Sequence, residues 1–319
     1  MTWITVAIAG YFFNALANIL DKYILSTKIP QPSVYAFFVA VFSLFALVDV
    51  PFGLRILSPQ MIVAAFLAGA FFIYGLIFFY RAVRESEISR VAPLMGAFMA
   101  LGALTYDFAS HINRLDWLHH PFLGRSENIL AFWLLLIGGF LVAFDLPFHI
   151  RDIFRGIRNT SAASAFMVVS LVMLKQIYFA EGFVNGFVWS RMGLFLGGLS
   201  LLLVPTFRKE IIGSLSDMSR SKREQRLTGS WFVANKVIGA LGNFLVQYAI
   251  FLGPLVAVQA FSGVQFAFVF LVAVPLSIRF PTLFGEKLYF NDWLQKVVAL
   301  TLIGLGIYFS ALSGADLFV

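Results

Sequence analysis

Tyr80-Arg-Ala-Val-Arg-Glu-Ser-Glu-Ile-Ser-Arg-Val-Ala-Pro-Leu94 and Tyr248-Ala-Ile-Phe-Leu-Gly-Pro-Leu-Val-Ala-Val-Gln-Ala-Phe-Ser262 are the two stretches on which the fold turns. Each closes one apolar run, makes a short break and opens the next. At one constant offset Tyr80 meets Tyr248, Ala92 meets Ala260 and Phe98 meets Phe266. The landmarks around them keep the same order. Phe122-Leu-Gly-Arg125 follows the first stretch and Leu283-Phe-Gly-Glu-Lys287 the second, and Ile137-Gly138 has a counterpart in Ile303-Gly304. The chain therefore reads as one arrangement made twice.

Outward from these landmarks the runs are long and apolar. A crossing helix needs roughly 20 mostly apolar residues. Such runs fall near 4–26, 34–54, 61–83, 91–110, 128–147, 162–180, 187–205, 231–251, 255–278 and 294–312. Lipid cannot satisfy open strands, and the runs lack the alternation of a barrel, so helices are expected. The Ile4 to Leu25 run has no basic leader and no small-residue cleavage site, and is expected to be the first span rather than a signal peptide. The composition agrees: 60% hydrophobic, 17% aromatic and 12% charged. Soluble domains carry about 25% charged residues. The longest polar stretch, Arg208 to Ser230, is too short to bury a core and is expected to be a loop. With no cysteine there is no disulfide, thiolate metal site or Cys nucleophile. The expected fold is an all-α integral membrane protein of ten transmembrane helices. Residues 1–148 form the first five-helix repeat, 149–161 a basic linker and 162–319 the second repeat. Because five is odd, the halves run in opposite directions, an inverted-topology repeat typical of secondary transporters.

These features resemble the EamA-like family of the drug/metabolite transporter (DMT) superfamily, whose members have ten helices arranged as five plus five. The resemblance rests on Tyr80 to Leu94, on Gly285-Glu286 before the last run, and on the glycine-rich ends of the fifth and tenth runs. It spans nearly the whole chain and implies a metabolite carrier without naming the cargo. The chain departs from the family pattern at Ser110 to Glu127, longer than the usual tight turn, and in having Arg125 opposite Glu286.

Lys and Arg residues concentrate in odd-numbered loops, whereas even-numbered loops hold only Arg55, Arg114 and Arg125. The positive-inside rule puts odd loops in the cytoplasm and both termini outside, although family members of this size more often look termini-inside. The net charge of +7 is explained by this bias toward anionic headgroups and requires no nucleic-acid partner. An inner, cell-membrane location is expected, as a monomer or a larger assembly.

Polar residues inside spans are costly and usually face a cavity or one another. Asn14, Asn18, Asp21 and Lys22 form one stripe on the first run. Lys175 and Gln176 interrupt the sixth. Lys236, Asn243 and Gln247, beside Asn235, share overlapping faces of the eighth, where Gly239 and Gly242 admit a neighbour. Gln259, Ser262 and Gln265 stripe the ninth. Asn14, Asn18, Lys175, Lys236, Asn243, Gln247, Gln259, Ser262 and Gln265 are therefore the expected substrate path, with Asp21 and Asp107 as candidate proton-coupling carboxylates. Arg191, after Trp189 and Ser190, reads as an interfacial anchor. Asp107 and His111, with Asp116, His119 and His120, have metal-ligand character, but the set has no counterpart in the second half, so no metal is assigned. The pairs Gly193/Gly197, Gly138/Gly139 and Gly304/Gly306 read as close helix contacts. No phosphate-cradling loop, nucleophile elbow or hydrolase motif is present, which excludes a single-chain ATP-driven pump and leaves no enzyme or cofactor assignment. The expected function is alternating-access transport of a small polar or amphipathic metabolite, such as an amino-acid-like solute. The alternatives are a flippase for a lipid-linked phosphate, favoured by a lateral opening and a basic cavity, and a non-transporting membrane enzyme or assembly factor.

Overall fold

A computed structural model describes residues 2–27, 31–85, 88–111, 126–143, 156–216, 222–279 and 290–314. These residues are almost wholly helical and include no strand. In chain order the helices are α1 (Thr2–Thr27), α2 (Pro32–Phe42), α3 (Pro59–Glu85), α4 (Ile88–His111), α5 (Ser126–Ala143) and α6 (Ile157–Glu181). They continue with α7 (Phe183–Ser200), α8 (Pro205–Ser216), α9 (Lys222–Leu252), α10 (Leu255–Ala260), α11 (Ser262–Arg279) and α12 (Phe290–Gly314). The 3-10 helix Ser43–Phe52 extends α2, and the 3-10 turn Leu201–Leu203 ends α7. Pro32, Pro59 and Pro205 each open a helix, where the missing N–H would have had no partner.

Thr2–Leu25, Pro32–Pro51, Pro59–Glu85, Ile157–Glu181, Phe183–Leu203 and Leu294–Leu312 are long and apolar enough to cross a bilayer. Leu94–Ala109, Ser126–Leu141 and Leu255–Val269 are shorter apolar helices. The protein is an all-α membrane protein.

The helices differ from the expected pattern in three places. The polar stretch Arg208 to Ser230, expected as a loop, lies largely in α8 and the start of α9, with 217–221 outside the described residues. Pro205 opens α8, Ile211 is buried, and Glu210 accepts a hydrogen bond from Ser33 of α2, so packing makes this segment helical despite its polarity. The basic linker contributes its last residues to α6, whose start is capped by Gly156 at φ +85°, and 149–155 lie outside the described residues. The ninth run is not one helix but two, broken at Phe261 between α10 and α11.

Packing joins the two ends of the chain. α1 lies along α9 and α11, α3 along α6 and α7, α4 along α6, and α5 along α12, while α4 also touches α10 and α11. Small residues allow the closest crossings. A Cβ on Gly193 would stand 2.5 Å from the Phe66 Cα and 2.7 Å from the Ala65 carbonyl, so α7 meets the α3 backbone directly. Gly138 and Gly306 make comparable contacts between α5 and α12. Gly304 does not: nothing lies within 4 Å of its Cβ position, and the close contact expected there is absent.

Candidate functional site

Between these helices is a cavity of about 920 Å³. Its wall is chiefly apolar, with Phe42, Phe72, Phe79, Phe187, Phe244 and Phe266 among its rings. Asn14, Asn18 and Asp21 reach it from α1, and Lys236, Asn243 and Gln247 from α9. The break at Phe261 brings in Gln259 at the end of α10 and Ser262 and Gln265 at the start of α11. Nine of the eleven residues singled out from the sequence thus share one cavity wall.

One end of the cavity is closed by a charged and aromatic knot. Asp21 Oδ1 accepts from Lys236 Nζ at 3.1 Å, from Asn235 Nδ2 at 2.5 Å and from the Tyr35 hydroxyl. Asn235 also donates to the Tyr35 oxygen at 2.9 Å. The Lys236 ammonium stands 4.4 Å from the centroid of Tyr35, 5.4 Å from Phe232 and 5.9 Å from Tyr80, within cation–π range. Phe38 and Phe42 of α2 lie against Phe232, with centroids 5.8 and 5.5 Å away, joining α2 to α9 at this end. The knot couples α1, α2 and α9.

Farther along, Arg191 of α7 faces the same cavity. It donates to Asn243 Oδ1, and its guanidinium carbon lies 4.6 Å from the Phe187 centroid and 5.8 Å from that of Phe72. Its Nε is buried with no hydrogen-bond partner. Tyr178 donates to Gln247 at 3.2 Å nearby. Phe183, Phe187, Phe244, Tyr248 and Phe251 form a cluster of rings that seals α7 against α9.

The cavity is open at one side. Phe45, on the 3-10 extension of α2, and Val233, Val237 and Leu241 of α9 all line it, yet they are 70, 43, 64 and 44% exposed. Residues that belong to both the lining and the outer surface mark a rim. Like α2 itself, its 3-10 extension packs on α7 and not along α9, which leaves a gap lined by hydrocarbon.

Two sequence-selected residues lie away from the cavity wall. Lys175, expected on the path, instead donates to the carbonyls of Ile250 at 2.6 Å and Gly253 at 2.8 Å. A cation there satisfies the last acceptors of α9 and complements its dipole, a role invisible until α6 and α9 are placed side by side. Asp107 sits near the end of α4, and the His111 side chain, Asp116, His119 and His120 lie outside the described residues. Conversely, the sequence places Arg191 at an interface, its run being expected to begin at 187. The helix begins at Phe183, so Arg191 lies two turns inside, while the neighbouring Trp189 donates to the Arg55 carbonyl at 3.0 Å. Tyr35 and Phe232 gave no signal, being ordinary aromatics in apolar runs.

No protein-family profile and no curated protein matches this chain. A solved structure whose title reads only "Crystal structure of protein" superposes on 100% of this chain and 98% of its own, with a TM-score of 0.61 and 16% identity. This likeness is one of fold.

Proposed function

We propose that this protein is a secondary transporter that moves a small polar or amphipathic metabolite by alternating access. Its architecture is then ten spans in a five-plus-five inverted repeat, with residues 1–148 opposed to 162–319, as in DMT-type carriers. The observation that carries the reading is the cavity of about 920 Å³, whose polar residues come from both ends of the chain and are set in an apolar wall. Ligand sites have this character: a few placed polar groups in an otherwise apolar recess of about 300–1,000 Å³. The packing pattern supports the repeat. α1 meets α9 as α3 meets α6, and α1 meets α11 as α4 meets α6, the exchange of partners that a two-fold relation between halves requires. The break at Phe261 beside the cavity also fits carriers, which build sites at interrupted helices.

In this reading the Asp21–Lys236 knot is the closed gate, and the gap between α2 and α9 is the open one. Odd loops face the cytoplasm of an inner membrane, as their Lys and Arg content implies. A cysteine at exposed Ser214 on α8 then reacts with membrane-impermeant maleimide only in inverted vesicles. The lateral gap also favours the second reading, a flippase for a lipid-linked phosphate.

The test is flux into proteoliposomes offered labelled amino acids, nucleosides, sugars and amphipathic acids. It is run with Asn18→Cys before and after a bulky maleimide fills the cavity of this otherwise cysteine-free chain. Flux that the plug abolishes supports the reading. Flux equal to that of empty vesicles, or insensitive to the plug, overturns it.

A further inference from the structure

We infer that the substrate is an acidic amphiphile, whose carboxylate or phosphate is held by Arg191 and whose apolar body lies along the aromatic wall toward the gap between α2 and α9. This inference rests on the carrier reading and names the class of its cargo.

Two carboxylates and two cations line the cavity, so the sign is read from the surroundings of each and not from their sum. Asp21 and Lys236 neutralise each other at 3.1 Å. Asp49 lines the wall from the 3-10 extension of α2 and makes no ion pair with Arg191. Among the described residues no carboxylate lies within ion-pair distance of Arg191, whose one polar acceptor is the Asn243 amide oxygen. A guanidinium presents five N–H donors in a fixed fork. Here Asn243 takes one, the faces of Phe187 and Phe72 offer quadrupoles but no lone pairs, and Nε is left buried without an acceptor. Unsatisfied buried donors are costly, and a charge in such surroundings demands a counterion. An oxyanion from the cavity supplies the counterion and accepts from the Nη donors that Asn243 leaves free, while Nε stays sealed behind them.

The surroundings specify the remainder of the molecule. Beyond Asn243 the wall beside Arg191 is chiefly ring and aliphatic carbon, and the rim at Phe45, Val237 and Leu241 is apolar and outward-facing, with Asp49 one turn past Phe45, so a hydrocarbon body finds apolar surface there. A strongly hydrated anion would have only the Arg191 contacts to offset the water it sheds, whereas an amphiphile also buries carbon as its head reaches Arg191.

The experiment uses the full chain in nanodiscs of zwitterionic phosphatidylcholine. Dialysis binding is measured for labelled dodecanoate, dodecyl phosphate, dodecylamine, dodecanol and inorganic phosphate. The two acids should bind, and the amine, the alcohol and inorganic phosphate should bind far more weakly. Arg191→Gln should weaken acid binding about ten- to a hundredfold, the worth of a hydrogen-bonded charge, with Arg191→Lys in between. Asn243→Asp keeps the guanidinium and places a carboxylate beside it, so it should lose acid binding in a protein that still elutes as folded. Acid affinity unchanged in both Arg191→Gln and Asn243→Asp overturns the inference, as does equal binding of dodecylamine or dodecanol. Inorganic phosphate binding as tightly as dodecyl phosphate overturns the amphiphile assignment. Plug-sensitive flux of only neutral or cationic solutes sinks this inference and leaves the carrier standing. Absence of any flux sinks the carrier, while the binding comparison still reads Arg191.

Discussion

Replacing Lys236 by Met removes the ammonium that stands over Tyr35 and keeps most of the aliphatic stem. Asp21 then retains two neutral donors, Asn235 and Tyr35, but no opposite charge. Breaking a fully buried pair on one side costs about 3–5 kcal/mol. Here the side chains are 15 and 7% exposed and line a cavity, so partial screening brings the expected loss to about 2–3 kcal/mol. Asp21→Asn alone leaves the ammonium an amide oxygen and the rings but no opposite charge, and should cost a similar amount. With both changes no uncompensated charge remains, and stability should return to within about 1 kcal/mol of the parent, since neutral replacements of buried pairs are often tolerated. Unfolding in mixed micelles with increasing dodecyl sulfate, run as a double-mutant cycle, should therefore give a coupling of at least about 2 kcal/mol. Flux should be lost in both single variants and stay lost in the stable double variant, because in the proposed carrier the closed gate is held by charge. Additive losses, with coupling under about 0.5 kcal/mol, would refute the argument that the pair is buried and mutually dependent.

Three other substitutions separate packing, capping and access. Gly193→Leu drives side-chain atoms into the α3 backbone at Phe66 and should cost at least about 3 kcal/mol, whereas Gly304→Leu, with open space around it, should stay within about 0.5 kcal/mol; equal micelle unfolding curves would refute the α3–α7 crossing. Lys175→Ala uncovers the α9 carbonyls and should lower stability by about 1–2 kcal/mol without changing flux per folded molecule; lost flux at full stability would return Lys175 to the path. Val237→Cys at the rim should react with a lipid-soluble maleimide, and Val188→Cys, fully buried, should not; matching rates would remove the lateral gap.

Much of the helical layout was legible in the sequence. The run expected at 61–83 lies within Pro59–Glu85 and that at 162–180 within Ile157–Glu181, because hydrocarbon admits few alternatives to a helix for such runs. The polar stripes were legible for the same local reason: side chains three and four apart share a face, so Asn14 with Asn18 and Asn243 with Gln247 could be grouped before any packing was known. The helical content of Arg208 to Ser230 was not legible, because a polar segment becomes helical here through partners such as Ser33, far away in the chain.

What the sequence determined by itself is therefore a property of short windows: hydropathy, spacing and punctuation made this an all-α membrane protein and marked which helix faces are polar. The tertiary structure alone decided which polar faces meet. It paired Asp21 with Lys236 in an aromatic enclosure, sent Lys175 to the end of α9 instead of the cavity, and moved Arg191 from an expected interface to the cavity wall. The reason is that an ion pair or a cap depends on the rotation and crossing of whole helices. Those are set by small-residue contacts such as Gly193 on Phe66, between positions that no sequence window contains together.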